Sequence, residues 1–342
     1  MLRIFAAAFS YAAALVGAGF ASGQEIVSFF VKYGKMSIIG VAVSAAVFGI
    51  YGALAARAAM SVRAQSFSEL TEHIMPCRVQ KIFAWFTCLF SLMVVCVMAA
   101  CMGELLYTLT GVKRIWGTAL MSLMCLVMLL SGVKGALKAN AVMGAVIVVG
   151  VTAFGLYLLG YREHQAMAVK LEPVIAAAAY PGYNLITVGT VVVGVSGFLR
   201  SKNEARAFGA VSAVMMGVMM AAVWAILSIY YGKIDLGALP MLTLARRQSE
   251  ICGMVYALIV GVSVLTTAAA NGLCAAELLG ERLGKRTAAV LVSMSGAALG
   301  TVGFARLIDT AYRWCGYAGI AMVAYVLVKC LKFLIFKEKQ RF

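Results

Sequence analysis

Apolar runs of about 20 residues recur from one end of the chain to the other, and short segments between them hold most of the charge. A helix of about that length crosses the hydrocarbon core of a bilayer, so the pattern predicts an all-α polytopic membrane protein. Ten spans are read from the periodicity, over 4–33, 36–56, 82–109, 115–131, 139–160, 173–199, 205–231, 251–279, 287–302 and 307–336. The polar stretch 57–81, with Ser68-Glu-Leu-Thr-Glu72 and Pro76, reads as a short amphipathic surface helix. The segment 232–250 around Pro240 reads as a long outer connection, and 161–172 as the loop between two halves. The chain is thus one integral membrane domain, with repeats over roughly 4–160 and 172–336 and a basic cytoplasmic tail at 337–342.

Two spans depart from the apolar pattern. In the first, Gly17-Ala-Gly-Phe-Ala-Ser-Gly23 is followed by Gln24 and Glu25. Each glycine costs a helix about 1 kcal/mol against alanine, and unpartnered backbone groups in hydrocarbon are tolerated only where protein or a wet cavity covers them. In the sixth, Tyr180-Pro-Gly-Tyr-Asn184 sets a proline and a glycine inside an apolar run, where proline removes an N–H and clashes with the preceding turn. A helix break is therefore expected at each. With five spans per half, the second half enters the membrane from the opposite side, so the two breaks occupy corresponding positions of an inverted repeat. Paired interruptions of this kind point to the binding site of a secondary transporter; the alternative is that the glycines serve only close helix packing.

Composition sharpens this. Of 342 residues, 63% are hydrophobic and 12% charged, with a mean hydropathy of +0.97. A net charge of +16 would suggest nucleic acid in a soluble protein, but here the basic residues sit in the short inter-span segments and no nucleic-acid partner is expected. With the N-terminus inside, the inner segments hold Arg3; Arg57, Arg63, Arg78 and Lys81; Lys134 and Lys138; Arg200, Lys202 and Arg206; Arg282, Lys285 and Arg286; and Lys329, Lys332, Lys337, Lys339 and Arg341. These are 18 of the 29 Lys and Arg, leaving 11 outside. Such a bias places both termini in the cytoplasm, in a bacterial cytoplasmic membrane. Arg3 and the apolar run from Ile4 imitate a secretory signal, but the run resumes through Val31 and an uncleaved first helix is favoured.

Nine scattered cysteines without a CxxC pair, and only His73 and His164 beside them, argue against a disulfide framework or a transition-metal site. There is no Ser/His/Asp or Cys/His arrangement and no Walker sequence, so neither an enzyme nor an ATP-driven pump is expected. The sequence assigns no oligomeric state.

The run Val16-Gly-Ala-Gly-Phe-Ala-Ser-Gly-Gln-Glu25, with Phe29-Phe30, resembles the opening motif of the bacterial YkvI-type membrane protein family. That family in turn resembles the LeuT-fold amino acid–polyamine–organocation (APC) superfamily of transporters. The likeness covers the first span well, the Tyr180 to Asn184 stretch and the Gly103-Glu104 region moderately, and the remainder by span pattern. It implies a LeuT-like 5+5 inverted repeat with broken helices 1 and 6, a symporter working by alternating access, and an amino-acid-like solute. A solute sensor or receptor subunit of the same fold, and a packing protein with degenerate breaks, are the other readings.

The candidate substrate site is the first break, Gly17, Ala18, Gly19, Phe20, Ser22 and Gly23, with Gln24 and Glu25 beyond it, and Tyr180, Gly182, Tyr183 and Asn184 at the second. Half-helix N-termini can hold a carboxylate and freed carbonyls a cation. Glu25, an intramembrane carboxylate, is either a proton carrier, a cation ligand or an ammonium-binding group, or else is paired with a structural base or helix N–H groups. Glu104 is a further candidate nearer the outer surface. Asn184 and Gln24 have the alternative of capping the resumed helices, and the tyrosines of packing with satisfied hydroxyls. Asp309, Arg306 and Arg313 read as interface residues or a surface ion pair, Arg246 and Arg247 as solvated, and Gly296 and Gly300 as a close helix contact.

No cofactor is expected, but a coupling ion is, either Na+ or H+. In the eighth span Ser263, Thr266 and Thr267 share one helical face. By resemblance to the second sodium site of LeuT-like transporters, the carbonyls of Ala13 and Val16, the Ser263 carbonyl and the Thr266 and Thr267 hydroxyls would hold an alkali cation. Glu25 is the proton-coupled alternative, and serine and threonine bonding back to their own helix is the other explanation.

Overall fold

The structure is a computed structural model that describes residues 1–131, 148–157 and 174–339. The whole loop 161–172, parts of the expected fifth span, Lys134 and Lys138, and residues 340–342 of the expected basic tail lie outside the described residues. The chain is almost wholly helical: α1 (Leu2–Leu15), α2 (Ala18–Ala21), α3 (Gln24–Phe29), a 3-10 turn (Val31–Tyr33), α4 (Ser37–Val62), α5 (Phe67–Ile74), α6 (Cys77–Thr110), α7 (Arg114–Ser131), α8 (Val148–Tyr157), α9 (Val174–Thr187), α10 (Gly189–Ser196), α11 (Lys202–Tyr230), α12 (Pro240–Gln248), α13 (Glu250–Leu283), α14 (Lys285–Leu299), α15 (Phe304–Leu307), a π turn (Ile308–Tyr312) and α16 (Arg313–Lys339). Six of these stretches, α4, α6, α7, α11, α13 and Phe304–Lys337, are long and apolar enough to cross a membrane, and the bent pair α9–α10 makes a seventh. The protein is a multi-pass membrane protein. Its amphipathic surface helix is α5, capped where Ser66 Oγ accepts the Glu69 N–H at 3.2 Å.

Two groups of helices pack side by side. One holds α1, α4, α9, α10 and α11, with α16 against α4 and α9; the other holds α6, α7, α13 and α14. Without a hydrophobic drive between helices in lipid, close approach at small residues supplies the attraction. At the α4–α11 crossing a Cβ on Gly49 would lie 2.5 Å from the Gly209 carbonyl oxygen, and one on Gly209 2.5 Å from that of Gly49. At the α6–α7 crossing Gly103 and Gly117 meet backbone in the same way, at 2.7 and 2.6 Å. Gly296 and Gly300 pack on α6 and α7, as the GxxxG spacing predicts.

The first span is broken where the glycines stand, at Val16–Gly17 and again at Ser22–Gly23, with Gly23 in the left-handed region at φ 83°. The second break is not at Tyr180 to Asn184. Pro181 lies inside α9, and the bend, 61° between Ala177–Thr187 and α10, falls at Val188. The reason is a repair from elsewhere in the chain. The carbonyl that Pro181 cannot serve four residues back is that of Ala177, and it accepts the Ser44 hydroxyl of α4 at 3.1 Å. The neighbouring glycine, Gly182, lets α16 close over the same turn. The real bend is covered from α5, because a Cβ on Gly189 would stand 2.5 Å from the ring of Phe67.

Ser44→Ala is expected to lower thermal stability by about 1–3 kcal/mol, since it orphans a buried carbonyl. An unchanged melting temperature would mean that Pro181 is accommodated without the Ser44 bond.

Candidate functional site

The first break is held open by partners from three directions. Ser22 Oγ donates to the Gly19 carbonyl at 2.8 Å and accepts the Gln24 N–H at 3.2 Å; the N-cap position of the resumed helix α3 is Gly23, so Gln24 is its first residue and not its cap. Tyr256 of α13 donates its hydroxyl to the Ala21 carbonyl at 2.6 Å. The Met241 N–H, left free at the start of α12 beside Pro240, donates to the Ser22 carbonyl at 2.9 Å. The helix α12 and the broken span are thereby joined through backbone. Ala18, Phe20, Ser22 and Gly23 are buried, and the Gln24 amide turns to Ser28 Oγ at 3.4 Å.

Glu25 folds back over this break. A Cβ on Gly19 would stand 2.1 Å from Glu25 Oε1, so the carboxylate occupies the space that the missing side chain leaves. It is 4% exposed and is the one carboxylate or basic side chain among the buried described residues. Its Oε2 has no hydrogen-bond partner there, and neither has the hydroxyl of Tyr180 or Tyr183. These two tyrosines face the carboxylate, with Tyr312 and Cys101 also within its electrostatic reach. Around them the rings form one cluster: Phe29 to Tyr183 at 5.5 Å, Tyr180 to Tyr183 at 5.6 Å, Tyr183 to Tyr312 at 4.8 Å and Phe90 to Tyr312 at 5.9 Å between centroids.

Of the residues expected at the second break, Tyr180 and Tyr183 meet the first-break residues, whereas Gly182 and Asn184 face elsewhere. A Cβ on Gly182 would lie 2.4 Å from the Gly316 carbonyl oxygen of α16, and the Asn184 amide donates back to the Tyr180 carbonyl at 3.0 Å, mid-helix and not at a cap. Glu104 is forked by Arg114 at 2.5 and 3.1 Å, with the guanidinium 3.8 Å over the Tyr107 ring; it joins α6 to α7 at their connection. Arg246, expected to be solvated, is exposed but donates to the Thr108 carbonyl at 2.5 Å.

Of the residues expected to hold an alkali cation, Thr267 lies next to the first break. Thr267 Oγ1 lies 3.3 Å from where a Cβ on Gly17 would be, so α13 meets the first break at the turn after Ala13 and Val16. Thr266 Oγ1 donates to the Ser263 carbonyl at 3.1 Å, its own helix, while the buried Ser263 hydroxyl has no partner among the described residues.

Asp309 and Arg313 form the ion pair expected of them, without Arg306, and sequence reading alone does not find the lysine that joins it. Lys32 Nζ and Arg313 Nη2 both reach Asp309 Oδ1, at 2.7 and 3.0 Å, and Arg313 also donates to the Ser28 carbonyl at 3.3 Å. These bonds tie the end of the first span to the π turn that carries Tyr312. The residues are 277 apart in sequence, and no local pattern announces the pair.

No family model matches the chain. The chain is homologous to the "Uncharacterized membrane protein YkvI" of Bacillus subtilis, with 24% identity over 329 residues covering 94% of each protein. A second B. subtilis protein, "Uncharacterized protein YyaD", is 24% identical over 60% of each. Among solved structures, the inward-facing conformation of Mhp1 matches at TM-score 0.66 and 15% identity, over 95% of this chain and 75% of that one. The manganese transporter of Eremococcus coleocola matches at 0.63 and 12%, over 97% and 77%. MhsT in complex with L-phenylalanine matches at 0.56 and 14%, over 94% and 87%. These neighbours are transporters of LeuT fold, and the likeness gives this chain the fold.

Proposed function

We propose that this protein is a secondary active transporter that moves a small polar or zwitterionic, amino-acid-like solute across a bacterial cytoplasmic membrane by alternating access. In this reading the chain has ten spans in a 5+5 inverted repeat, with α1–α3 as the first and α9–α10 as the sixth. The observation that carries it is the buried Glu25 carboxylate lying against the Gly19 backbone of a broken span, with no basic side chain paired to it among the described residues. A buried ionisable group and interrupted backbone are costly in a membrane and are retained where a pathway needs them. The solute site is the first break with Glu25, Tyr180 and Tyr183. The Lys32–Asp309–Arg313 link lies beside it and would have to part for access from that side. Thermal-shift screening of the purified chain against small solutes, followed by uptake into liposomes, tests the reading, because a ligand stabilises the native state according to its concentration over Kd. Binding with no uptake would make the protein a sensor of the same fold.

An accessibility tag within 232–250 is expected to label from outside, and one within 57–81 only after permeabilisation. This follows from the charge bias of 18 inner against 11 outer basic residues. Reversed labelling would overturn the topology and the placing of both breaks with it.

The coupling ion we take to be sodium, with the proton as the alternative. The closeness of Thr267 to Gly17 supports this reading, and the Thr266 hydroxyl would turn from the Ser263 carbonyl to meet an ion. Replacing Thr266 by alanine together with Thr267 by valine is expected to remove the sodium dependence of solute binding, and Glu25→Gln to leave it. Binding that never depends on sodium in the wild type would withdraw the ion site and leave the solute site standing.

A further inference from the structure

Five basic side chains gather where α6 begins and α13 gives way to α14. Arg78 and Lys81 lie in the first two turns of α6, Arg282 in the last turn of α13, and Lys285 and Arg286 in the first turn of α14. These three helices pack on one another. The Arg282 guanidinium lies 4.9 Å from the ring centroid of Trp85 on α6, and the turn at Gly284 brings Lys285 back on to α13, its Cα 3.6 Å from where a Cβ on Gly280 would be. All five basic residues are exposed, and none makes an ion pair among the described residues. The carboxylates of the same stretch, Glu277 and Glu281, are exposed and pair with none of them. The first turn of α14 holds no acidic residue either, although freed N–H groups already make a helix start positive. This corner is short of an anion.

The surface beside the charge says which kind. On α6, Arg78, Lys81, Ile82, Trp85 and Leu89 fall at i, i+3, i+4, i+7 and i+11, which is one helical face, and all are exposed, Ile82 at 67% and Leu89 at 65%. On α14 the order repeats, with Arg286, Val290 and Met294 exposed at i, i+4 and i+8. Because α6 is long and apolar enough to cross the membrane, its outward isoleucine and leucine face acyl chains. The α6 face passes from cation to hydrocarbon within about 10 Å, at 1.5 Å per residue. Trp85 stands at the change, the level that tryptophan favours in a membrane. Its ring holds the Arg282 guanidinium by a cation–π contact, while the guanidinium N–H donors, without a partner among the described residues, can fork an oxyanion. A free phosphate would use the charges alone; a phospholipid uses both parts.

We propose that this corner binds an anionic phospholipid, its phosphate among Arg78, Lys81, Arg282, Lys285 and Arg286 and its acyl chains along the outward face of α6, with Trp85 at the boundary. The site is separate from both helix breaks and holds whether or not the chain transports. It bears on the first break all the same, because α13 carries Tyr256, which bonds the Ala21 carbonyl, and Thr267, which lies beside Gly17. A lipid that ties α6 to the end of α13 braces the helix on which that break leans.

The test measures the lipid retained by the purified full-length chain, by native mass spectrometry in mild detergent, from equimolar phosphatidylglycerol and phosphatidylcholine of the same acyl chains. At least a roughly tenfold preference for phosphatidylglycerol is expected, with a higher melting temperature in its presence, since each basic group near a membrane surface adds to the attraction for anionic lipid. Arg282→Gln, Lys285→Gln and Arg286→Gln combined should abolish the preference. Arg3→Gln, Arg206→Gln and Lys332→Gln combined, which remove three exposed basic residues elsewhere, should keep it. Trp85→Phe, which retains a ring face, should bind as the wild type does, and Trp85→Leu roughly threefold more weakly. Glycerol 3-phosphate, a headgroup without chains, should not displace the lipid. Equal retention of the two lipids overturns the inference. So does equal loss of preference in both triple variants, which would leave only diffuse surface charge, and so does displacement by glycerol 3-phosphate as strong as by phosphatidylglycerol, which would make this a site for a soluble anion. Retention by a dimer alone would put the lipid between two copies and overturn the assignment to this corner. The wild-type comparison of lipids stands even if a variant fails to fold.

Discussion

Gly19→Val and Gly23→Leu are expected to reduce uptake to background while both proteins still insert in the membrane. At Gly19 the first atom of the new side chain falls 2.1 Å from Glu25 Oε1 and 2.6 Å from its carboxyl carbon. Those atoms end a flexible side chain, so the valine can be housed by expelling Glu25 from the break. The fold survives and the carboxylate is lost to the site. At Gly23 the obstacle is different. Its φ of 83° is a conformation that glycine adopts freely and leucine pays for, and a Cβ there meets Met241 Cγ at 2.8 Å and Leu227 Cδ1 at 3.0 Å. The strain bears on the bond between the Met241 N–H and the Ser22 carbonyl, which fixes α12 to the break. Uptake at the wild-type rate in both variants, at equal expression, would remove the first break from the site.

The two breaks differ in how far the sequence foretells them, and the difference is physical. Gly17 to Gly23 is broken by its own residues, so the chain there is legible from composition. Pro181 is a strong local signal too, but its missing hydrogen bond is replaced by Ser44, 133 residues distant from the Ala177 carbonyl that it serves. Local rules place the bend at the proline; the tertiary contact moves it seven residues on, to Val188. Glu25, Tyr180 and Tyr183 are visible in the sequence because a carboxylate and paired tyrosines in apolar runs are unusual there. Phe90 and Tyr312 are not, since an aromatic residue in a span is ordinary until its neighbours are known. The same holds for Phe67 at the second bend and Met241 at the first. Each surface helix covers a break in the other half of the chain, and no pattern within either helix carries that information.

Gly319→Val is expected to destabilise the protein by more than about 3 kcal/mol, the upper part of the range for overpacking, and to sharply reduce the yield of folded protein. A Cβ at 319 would lie 2.3 Å from the Gly182 carbonyl oxygen and 2.6 Å from its carbon; one at Gly182 would lie 2.4 Å from the Gly316 oxygen, and one at Gly316 2.5 Å from the Ala179 oxygen. All of these obstacles are backbone. No rotamer change relieves them, so α9 and α16 would have to separate along the whole crossing. Gly194→Ala, where nothing lies within 4 Å of the added carbon, should melt with the wild type and serves as the control. Wild-type melting of Gly319→Val would show that the crossing yields at little cost. The contact also bears on function. Tyr180 and Tyr183 ride on α9, while Tyr312 and Asp309 stand in the π turn that leads into α16. A glycine-tight crossing keeps these residues in one unit, so the rings of Tyr180, Tyr183 and Tyr312 and the Asp309 end of its link to Lys32 should move together in any conformational change. A milder substitution, Gly319→Ala, should therefore weaken solute binding in step with stability, whereas Gly194→Ala should change neither.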